Sequence, residues 1–469
     1  MFHNKNIFVH FIGIGGIGMS SIAEVLINQG IHVSGSDLQK SSITEKLKKL
    51  GAKINIGHKA SNIENPYVIV YSSAVREDNP EIIEAKSKQI PIMKRAEMVA
   101  DLMKLKCGIA IAGTHGKTTS TSFLVTILKE CGIDPTYLIG GIVKNLDGHA
   151  GVGKGNYLVT EADESDGSFL LLNPVYSVIT NIDFDHMEYY KTEENLVKAF
   201  TQFANNIPFY GCCALNAHDQ RLTKIRNKMK RQFVTFAVEN HDGIDADYIA
   251  KNIEITFIQS KYDLFYKNEF VQQISISVPG NHNVLNSLGA IAISHLIGIN
   301  FSDIAKSISK FNGIGRRCQI IYRKKNLWVI DDYAHHPTEI INTLKTIREC
   351  EKDKTIIAIF EPHRYTRTKD CWDEFQKCFF HADSLYICPI YHANEEPIKG
   401  IDSKTLSDEI NARTKINKFS KPIDDISEIE KIINEDYTKE TIIISLGAGA
   451  IGKEIKDLTE KLILQDENN

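Results

Sequence analysis

Long apolar runs are missing from this chain: no stretch approaches the ~20 uninterrupted residues that a membrane-spanning helix needs. An excess of either charge is missing too. Fifty-five basic residues stand against 59 acidic ones, a formal net charge of −4, which leaves no field to gather nucleic acid. The one local basic run, KIRNKMKRQ at 224–232, reads as the solvated face of an exposed helix. Nine cysteines are scattered without a C-x-x-C pair, and the closest two, Cys212 and Cys213, are adjacent, a poor spacing for an ordinary bridge or a zinc knuckle. Reduced structural thiols are the reading that remains. The opening MFHNKNIF has neither a cationic segment followed by an apolar run nor a small-residue cleavage site, so the expected location is the cytoplasm. No internal repeat of the ~20–50 residue kind is present.

What is present is alternation. At ~150 residues per domain, 469 residues predict about three domains, and the pattern divides them at 1–105, 106–312 and 313–469. IFVHFIGI, HVSGSD and YVIVYSSAV read as strands, with helices MSSIAEVLINQG and ITEKLKKLG between them, a βαβ series and hence a parallel sheet with ligand sites at the carboxyl ends of its strands. A second unit starts with strand CGIAIAG, turn THGKTT and helix TSFLVTILKECG. After 246 the period changes to two around a YKNEF turn, which predicts a small antiparallel insert. The third unit repeats the alternation from strand LWVID through loop DYAHHP, a helix opened by Pro337, strand TIIAIF, loop EPHRYTRT, helix CWDEFQKCFF and strand TIIISLGAG; the polar QDENN reads as a frayed end.

Two glycine turns carry different chemistry. Gly13-x-Gly15-x-x-Gly18 has the spacing that lets backbone amides approach a pyrophosphate at a helix N-terminus, and Asp37, 19 residues past Gly18, stands where a ribose-binding acid would. Gly113-Thr114-His115-Gly116-Lys117-Thr118-Thr119 follows a strand and opens a helix, a turn whose amides can surround phosphate oxygens, whose Lys117 can reach the β/γ oxygens and whose Thr118 hydroxyl can ligate Mg²⁺. A strict phosphate loop has glycine six residues before the lysine; Ile111 stands there, so the loop is a shortened variant. A metal with triphosphate wants further ligands from a neighbouring strand tip. Glu161, Asp163, Glu164 and Asp166 cluster at one such tip, and Asp183, Asp185 and His186 at another, with Glu161 the first choice. Asn283 and Asn286, beside His282, offer amides to a purine edge, although such a pair also suits a helix cap. Asp331, Asp332, His335, His336, His363, Arg364 and Arg367 fall in loops after strands, and arginines three apart suit a carboxylate or phosphate clamp. A second GxGxxG, Gly447-x-Gly449-x-x-Gly452, reads as close backbone packing.

GTHGKTT, TEADESDGSF, TNIDFDHM, GNHNVLN, GIGRR, DDYAHHP and EPHRYTRT, in this order and after HFIGIGGIGMS, resemble the Mur ligases, ATP-dependent amide-forming enzymes of peptidoglycan precursor synthesis. The resemblance runs from about residue 10 to 452. It implies an α/β protein of three domains: an N-terminal Rossmann-like parallel sheet for the UDP-sugar, a central P-loop ATPase-like domain with the antiparallel insert, and a C-terminal Rossmann-like domain that helps receive the amino acid. It further implies ATP and Mg²⁺ or Mn²⁺ as cofactors, UDP-N-acetylmuramate and L-alanine as substrates, an acyl-phosphate intermediate, no nucleic-acid or membrane partner, and a monomer or homodimer. Carried over by motif, Thr118, Glu161 and His186 would hold metal, His282, Asn283 and Asn286 would meet adenine, and Arg316 and Asp331 would contact ATP. Arg364 and Arg367 would face the carboxylate or acyl phosphate, while Gly15, Gly16, Ile17, Gly18, Asp37 and Ser72 would hold the UDP part. His186 looks like the substitute for the carbamylated lysine of several relatives, and His335 or His336 is the candidate base for the amine.

Three alternatives share parts of this pattern. The ligase that attaches a recycled tripeptide to the same sugar nucleotide usually continues its first glycine turn as Thr-Phe-Met-Gly, where this chain has Ile17-Gly18-Met19-Ser20. Folylpolyglutamate synthase shares the central architecture without such an N-terminal βαβ unit. An NAD(P)-dependent dehydrogenase would use the first GxGxxG and Asp37 but has no use for GTHGKTT, and a nucleotide-sensing partner protein would bind ATP without alanine-dependent phosphate release.

Overall fold

The strands of the N-terminal sheet are short apolar runs, each stopped where a glycine or polar residue begins a turn. In the computed structural model, which describes residues 7–72, 75–143, 146, 148–239, 243–324, 326–414, 419–435 and 437–467, Phe8–Ile12 lies at the centre of this sheet. It pairs in parallel with His32–Asp37 on one side and Val68–Tyr71 on the other, and Lys53–Ile56 and Ile92–Lys94 complete five parallel strands among the described residues. Parallel pairing requires crossover helices. Ile17–Asn28, Ser42–Lys49 and Pro80–Ser87 supply them, the second started by a capping box in which Ser41 and Thr44 bond each other's backbone amides.

The central sheet has ten strands among the described residues, with Cys107–Ala112 between Tyr157–Glu161 and Tyr176–Ile179, all parallel. Cys212–Asn216, Phe233–Val238 and Tyr248–Thr256 extend it in parallel. Gln259–Tyr266 and Glu269–Ile276 follow across two-residue links, which only antiparallel neighbours permit; this is the expected insert. At the other edge, Thr136–Val143 and Gly148–Gly151 form an antiparallel hairpin that the sequence pattern did not announce, because Gly140, Gly141 and Gly151 interrupt its alternation. The basic run at 224–232 is helical only to Arg226; a turn at Asn227 ends the helix Gln220–Arg226, so the run is not one helix face.

The third sheet orders six described strands as Gln319–Lys324, Leu327–Asp332, Thr441–Leu446, Thr355–Phe360, Ser384–Ile387 and Ser420–Pro422. All neighbours are parallel except the first, an unforeseen antiparallel edge strand. Pro337 sits in the first turn of Pro337–Cys350 as its fixed φ dictates. Two boundaries differ from the sequence pattern. Within EPHRYTRT a helix already begins at Tyr365 and breaks at Cys371 before Trp372–Phe375, and Ile451–Glu467 carries the helix into the expected frayed tail. No helix among the described residues is long and apolar enough to cross a membrane.

Residue contacts divide the chain into two compact units: 1–253, 261–276 and 283–312 form one, and 254–260, 277–282 and 313–469 the other. In the first unit one continuous apolar cluster joins the N-terminal and central sheets, running from Val9, Met19 and Leu26 to Leu138, Phe169, Phe200 and Leu215. Helix Ile17–Asn28 packs against both strands of the Thr136–Gly151 hairpin, which ties the N-terminal glycine turn to the central sheet. Phe200 is fully buried, edge-on to Phe169 with ring centroids 5.1 Å apart. Phe200→Ala should therefore cost about 3–5 kcal/mol in urea melts of the first unit; a loss under about 1 kcal/mol, a typical surface value, would remove helix Glu193–Asn205 from this core.

Candidate active site

Strand Phe8–Ile12 ends in a turn whose amides are fixed from the neighbouring strand. Gly13 and Ile14 both donate to the Ser36 carbonyl, at 2.8 and 3.0 Å, and Gly15 donates to Asp37 Oδ2 at 2.8 Å. Gly16 then starts helix Ile17–Asn28 with no side-chain cap and no acid in its first turn. A helix start left bare in this way is an anion site. Gly15, Gly16, Ile17 and Gly18 are thus brought together, and Ser72 Oγ lies close to Gly13. Asp37 is placed differently from its sequence reading. Its carboxylate braces the turn, taking the Gly15 amide on one oxygen and the Gln39 amide on the other.

The second turn follows strand Cys107–Ala112. Gly113 (φ 127°) and Gly116 (φ 83°) adopt backbone conformations that side chains resist, and Gly116 starts helix Lys117–Glu130 without a side-chain cap. Asn181 grips the loop from the next strand tip: its carbonyl accepts from Thr114, its Oδ1 from the His115 amide, and its Nδ2 donates to the His115 carbonyl. Lys117 folds back over the loop, donating to the Gly113 carbonyl at 2.6 Å and to both oxygens of Glu164 at 2.9 and 2.7 Å. Burial opposes its charge, but Glu164, with Asp163 and Glu161 beyond, holds the ammonium above the ordinary lysine range. Glu161 meets the Thr118 hydroxyl and accepts from the Gly140 amide at 2.6 Å, and burial raises its affinity for a proton. These oxygens suit a hard divalent cation.

His186 adopts φ 56° at the start of the short helix Met187–Tyr190, its ring 3.6 Å from Asp185 and 3.7 Å from Glu188, within electrostatic reach of Glu164. His115 pairs with Asp183 at 3.2 Å. Thr119 is buried in the helix that follows the loop. Asn286 packs against Gly116 and takes Ser120's hydroxyl on its carbonyl, with Asn283 a turn earlier on Asn281–Leu296, whereas His282 belongs to the second unit. There burial and Arg317 push its pKa down to about 4. The two turns of the first unit meet in a cleft of about 230 Å³ lined by Gly18, Arg95, Lys117, Gly140, Glu161 and Asp163. Arg95 was not singled out in the sequence. Its guanidinium lies against Gly18 and 3.4 Å from Asp163, so it links the first turn to the acidic loop after strand Tyr157–Glu161.

In the second unit Arg316 donates to Asp331 at 3.2 Å and to the Gly447 carbonyl at 2.7 Å, with Tyr333 under its guanidinium. His335 directs Nδ1 at the Tyr333 carbonyl at 2.9 Å; a carbonyl only accepts, so Nδ1 carries a proton and the neutral ring has its lone pair on Nε2. His336 is a helix cap, its Nδ1 accepting from the Thr338 amide. Arg364 (φ 71°) and Arg367 flank His363, whose pKa is lowered to about 4 by burial and by the charges of Arg367 and Arg364. The Arg364 Nε is buried without a hydrogen-bond partner, a donor suited to an anion.

The second GxGxxG is filled from within. A Cβ on Gly447 would meet Glu361 and Ile451, one on Gly449 Tyr391 and one on Gly452 Arg316, the close packing expected. Glu361 caps the helix that follows, accepting from the amides of Gly449 and Ile451, and burial pushes its pKa up to about 7. A carboxyl group raised in the folded state stabilises when protonated, so this contribution is complete below about pH 4.5 and lost as pH rises through 7. Glu361→Gln should melt like the parent at pH 4.5 and be more stable by up to about 3 kcal/mol at pH 8; a difference that does not change with pH would contradict the burial of this carboxyl.

Three family profiles match in order: "Mur ligase family, catalytic domain" over residues 8–106, "Mur ligase middle domain" over 111–294, and "Mur ligase, glutamate ligase domain" over 316–449. A UDP-N-acetylmuramate–L-alanine ligase of Geotalea daltonii is 45% identical over 457 residues, 97% of this chain and 98% of the relative. One of Endomicrobium trichonymphae is 43% identical over 455 residues, with the same coverage of 97% and 98%. The crystal structure of UDP-N-acetylmuramate-alanine ligase from Thermotoga maritima superposes with a TM-score of 0.82 at 30% identity, covering 98% of this chain and 100% of that one. A murein peptide ligase from Psychrobacter arcticus shares the fold at a TM-score of 0.69 and 24% identity, with 97% and 98% covered. With three consecutive profiles and near-full-length relatives on the sequence that builds this cleft, the chain belongs to the Mur ligase family.

Proposed function

We propose that this chain joins L-alanine to the lactyl carboxylate of UDP-N-acetylmuramate at the expense of ATP, through an acyl phosphate, as a cytoplasmic step of peptidoglycan precursor synthesis. The observation that carries the reading is the shared cleft: a bare helix start for a diphosphate and a second phosphate cradle face one space, which Arg95 also lines. A dehydrogenase would need one of these turns, and would need Asp37 for the ribose rather than for Gly15. The named activity of the curated relatives in Geotalea and Endomicrobium supports the same choice.

The division of labour follows the three sheets, taken as 1–105 for the sugar nucleotide, 106–312 for ATP and 313–469 for the closing steps. Gly15, Gly16, Ile17 and Gly18 take the diphosphate on their backbone, with Asp37 bracing the turn and Ser72 beside it. The loop Gly113–Thr119 takes the ATP phosphates on its amides, and His282, Asn283 and Asn286 accompany the base. Lys117, kept charged by Glu164, neutralises the γ-phosphoryl oxygens as the carboxylate oxygen attacks phosphorus and ADP leaves. Thr118, Glu161 and His186 would hold a Mg²⁺ ion, which supplies further charge neutralisation when bound.

The alanine nitrogen then attacks the acyl carbon, and the tetrahedral intermediate expels phosphate. Arg364 and Arg367 hold the anion that forms, Arg316 and Asp331 complete the ATP contacts, and His335 Nε2 receives the ammonium proton. His336 cannot serve without giving up its helix cap. Phosphate release, measured over the amino acids with sugar nucleotide, ATP and Mg²⁺ present, should depend on L-alanine; release indifferent to it would overturn the assignment. Lys117→Ala should lower turnover at least ~100-fold while calorimetry with UDP-N-acetylmuramate alone gives an unchanged affinity, because the two ligands use different turns. Equal loss of both would refute the division between the first two sheets.

A further inference from the structure

Beneath the first glycine turn lies a buried carboxylate that the proposed chemistry does not use. Glu81 stands in the first turn of helix Pro80–Ser87, which Asn79 caps, and is 0% exposed. Its Oε2 accepts from the Ser36 hydroxyl at 2.6 Å and faces His10 Nε2 at 3.3 Å, with His58 Nδ1 at 3.9 Å. Its Oε1 accepts from the Lys59 amide at 3.2 Å and from Asn62 Nδ2 at 2.5 Å. Burial pushes its pKa up, but the bonds from His10, Ser36 and Asn62 outweigh it and keep the group below the ordinary glutamate range. Glu81 is an interior anion with both oxygens occupied.

Its partners lead straight to the turn. Ser36 gives its hydroxyl to Glu81 and its carbonyl to the amides of both Gly13 and Ile14, and the next residue, Asp37, takes the amide of Gly15. Three consecutive amides of the turn are therefore fixed on two residues, one of which Glu81 holds. His10 belongs to the strand that enters the turn, pairs with Ser34 across the sheet, and bonds both the Ser34 hydroxyl at 2.7 Å and Glu81. A buried ion pair is weak evidence for stability, since apolar residues of the same volume serve as well. What an apolar filling cannot do is set the position of a hydroxyl and, through it, of a carbonyl.

We propose that Glu81 is a positioning residue for the sugar-nucleotide turn. Acting through Ser36 and His10, it aligns the amides of Gly13 and Ile14 beside the Gly15 amide held by Asp37, so that the uncapped start of Ile17–Asn28 meets the diphosphate in a fixed geometry. This rests on the reading of that turn as the site of the UDP group. Glu81→Gln places an NH₂ where the carboxylate accepts from donors, whichever way the amide is turned. Ser36→Ala removes the link, together with the hydroxyl's 2.8 Å bond to His58 Nδ1, and leaves the carboxylate in place.

In the full-length enzyme, Glu81→Gln and Ser36→Ala should each raise the KM for UDP-N-acetylmuramate about tenfold, the effect of one lost hydrogen bond in the ligand-competent turn, while kcat and the KM for ATP stay near the parent values. Asn62→Ala is the structural comparison: Asn62 bonds the same carboxylate and the Gly57 carbonyl, and among the described residues it makes no hydrogen bond to Gly13, Ile14 or Gly15. It should lower Tm and leave the sugar-nucleotide KM unchanged. The proposal is overturned if the KM changes of all three variants simply track their losses of Tm, or if Ser36→Ala leaves that KM unchanged. Asp37→Ala separates the two layers. If it raises the sugar-nucleotide KM while Ser36→Ala does not, Glu81 loses its role; if neither does, the reading of the turn itself falls. Should Glu81→Gln not fold, Ser36→Ala decides.

Discussion

A lysine charge held inside the protein organises the centre of this molecule. Lys117 is surrounded by the carbonyls of its own loop and by Glu164, with Asp163 and Glu161 close enough to add to the field. An unpaired ammonium at that depth would release its proton. The acids of strand tip Tyr157–Glu161 and the loop after it are therefore first the counter-charge of the lysine, and through Glu161 and Thr118 the candidate ligands of a cation. They also hold Arg95, which lies against Gly18 and pairs with Asp163 at 3.4 Å, so the N-terminal helix start and this acidic loop share one cation. Charge neutrality around one side chain thus sets which strand tips must converge.

The same glycine spacing occurs twice with opposite outcomes, and what decides is the acid nearest each helix start. At Gly13–Gly18 the carboxylate of Asp37 binds the Gly15 amide, one residue short of the helix, and the first turn beyond remains without a cap. At Gly447–Gly452 the carboxylate of Glu361 reaches the amides of Gly449 and Ile451 themselves, so the protein's own side chain fills the position that an anion would take. A spacing of glycines permits close approach of something. Only the neighbouring strand says whether that something is a ligand or a side chain.

This limits what was legible beforehand. The parallel sheets, both glycine turns and the acidic strand tips were visible because alternation and turn chemistry are local, and a strand such as HVSGSD carries its boundaries in its residues. Arg95, Asn181 and Glu81 were not. Each is an ordinary residue of a loop or a helix start whose importance comes from a contact 66 to 71 residues away in the chain, with Asp163, His115 and His10 respectively. The hairpin Thr136–Val143 with Gly148–Gly151 was missed because its glycines hide the period of two, although it is the surface on which helix Ile17–Asn28 rests.

Adjacent histidines in the second unit make the point at the level of one proton. In sequence His335 and His336 are equivalent candidates for a base. In the structure the backbone assigns each nitrogen: the Tyr333 carbonyl demands a proton on His335 Nδ1, and the Thr338 amide demands a lone pair on His336 Nδ1. His335 is left with its lone pair on Nε2, while His336 must carry its proton there, directed at Cys371 Sγ at 3.7 Å. One helix start, opened by Pro337, thereby separates a residue suited to accept a proton from one committed to holding the chain. The chemistry of the site depends on which backbone groups the fold leaves to be satisfied, as much as on which side chains it brings near.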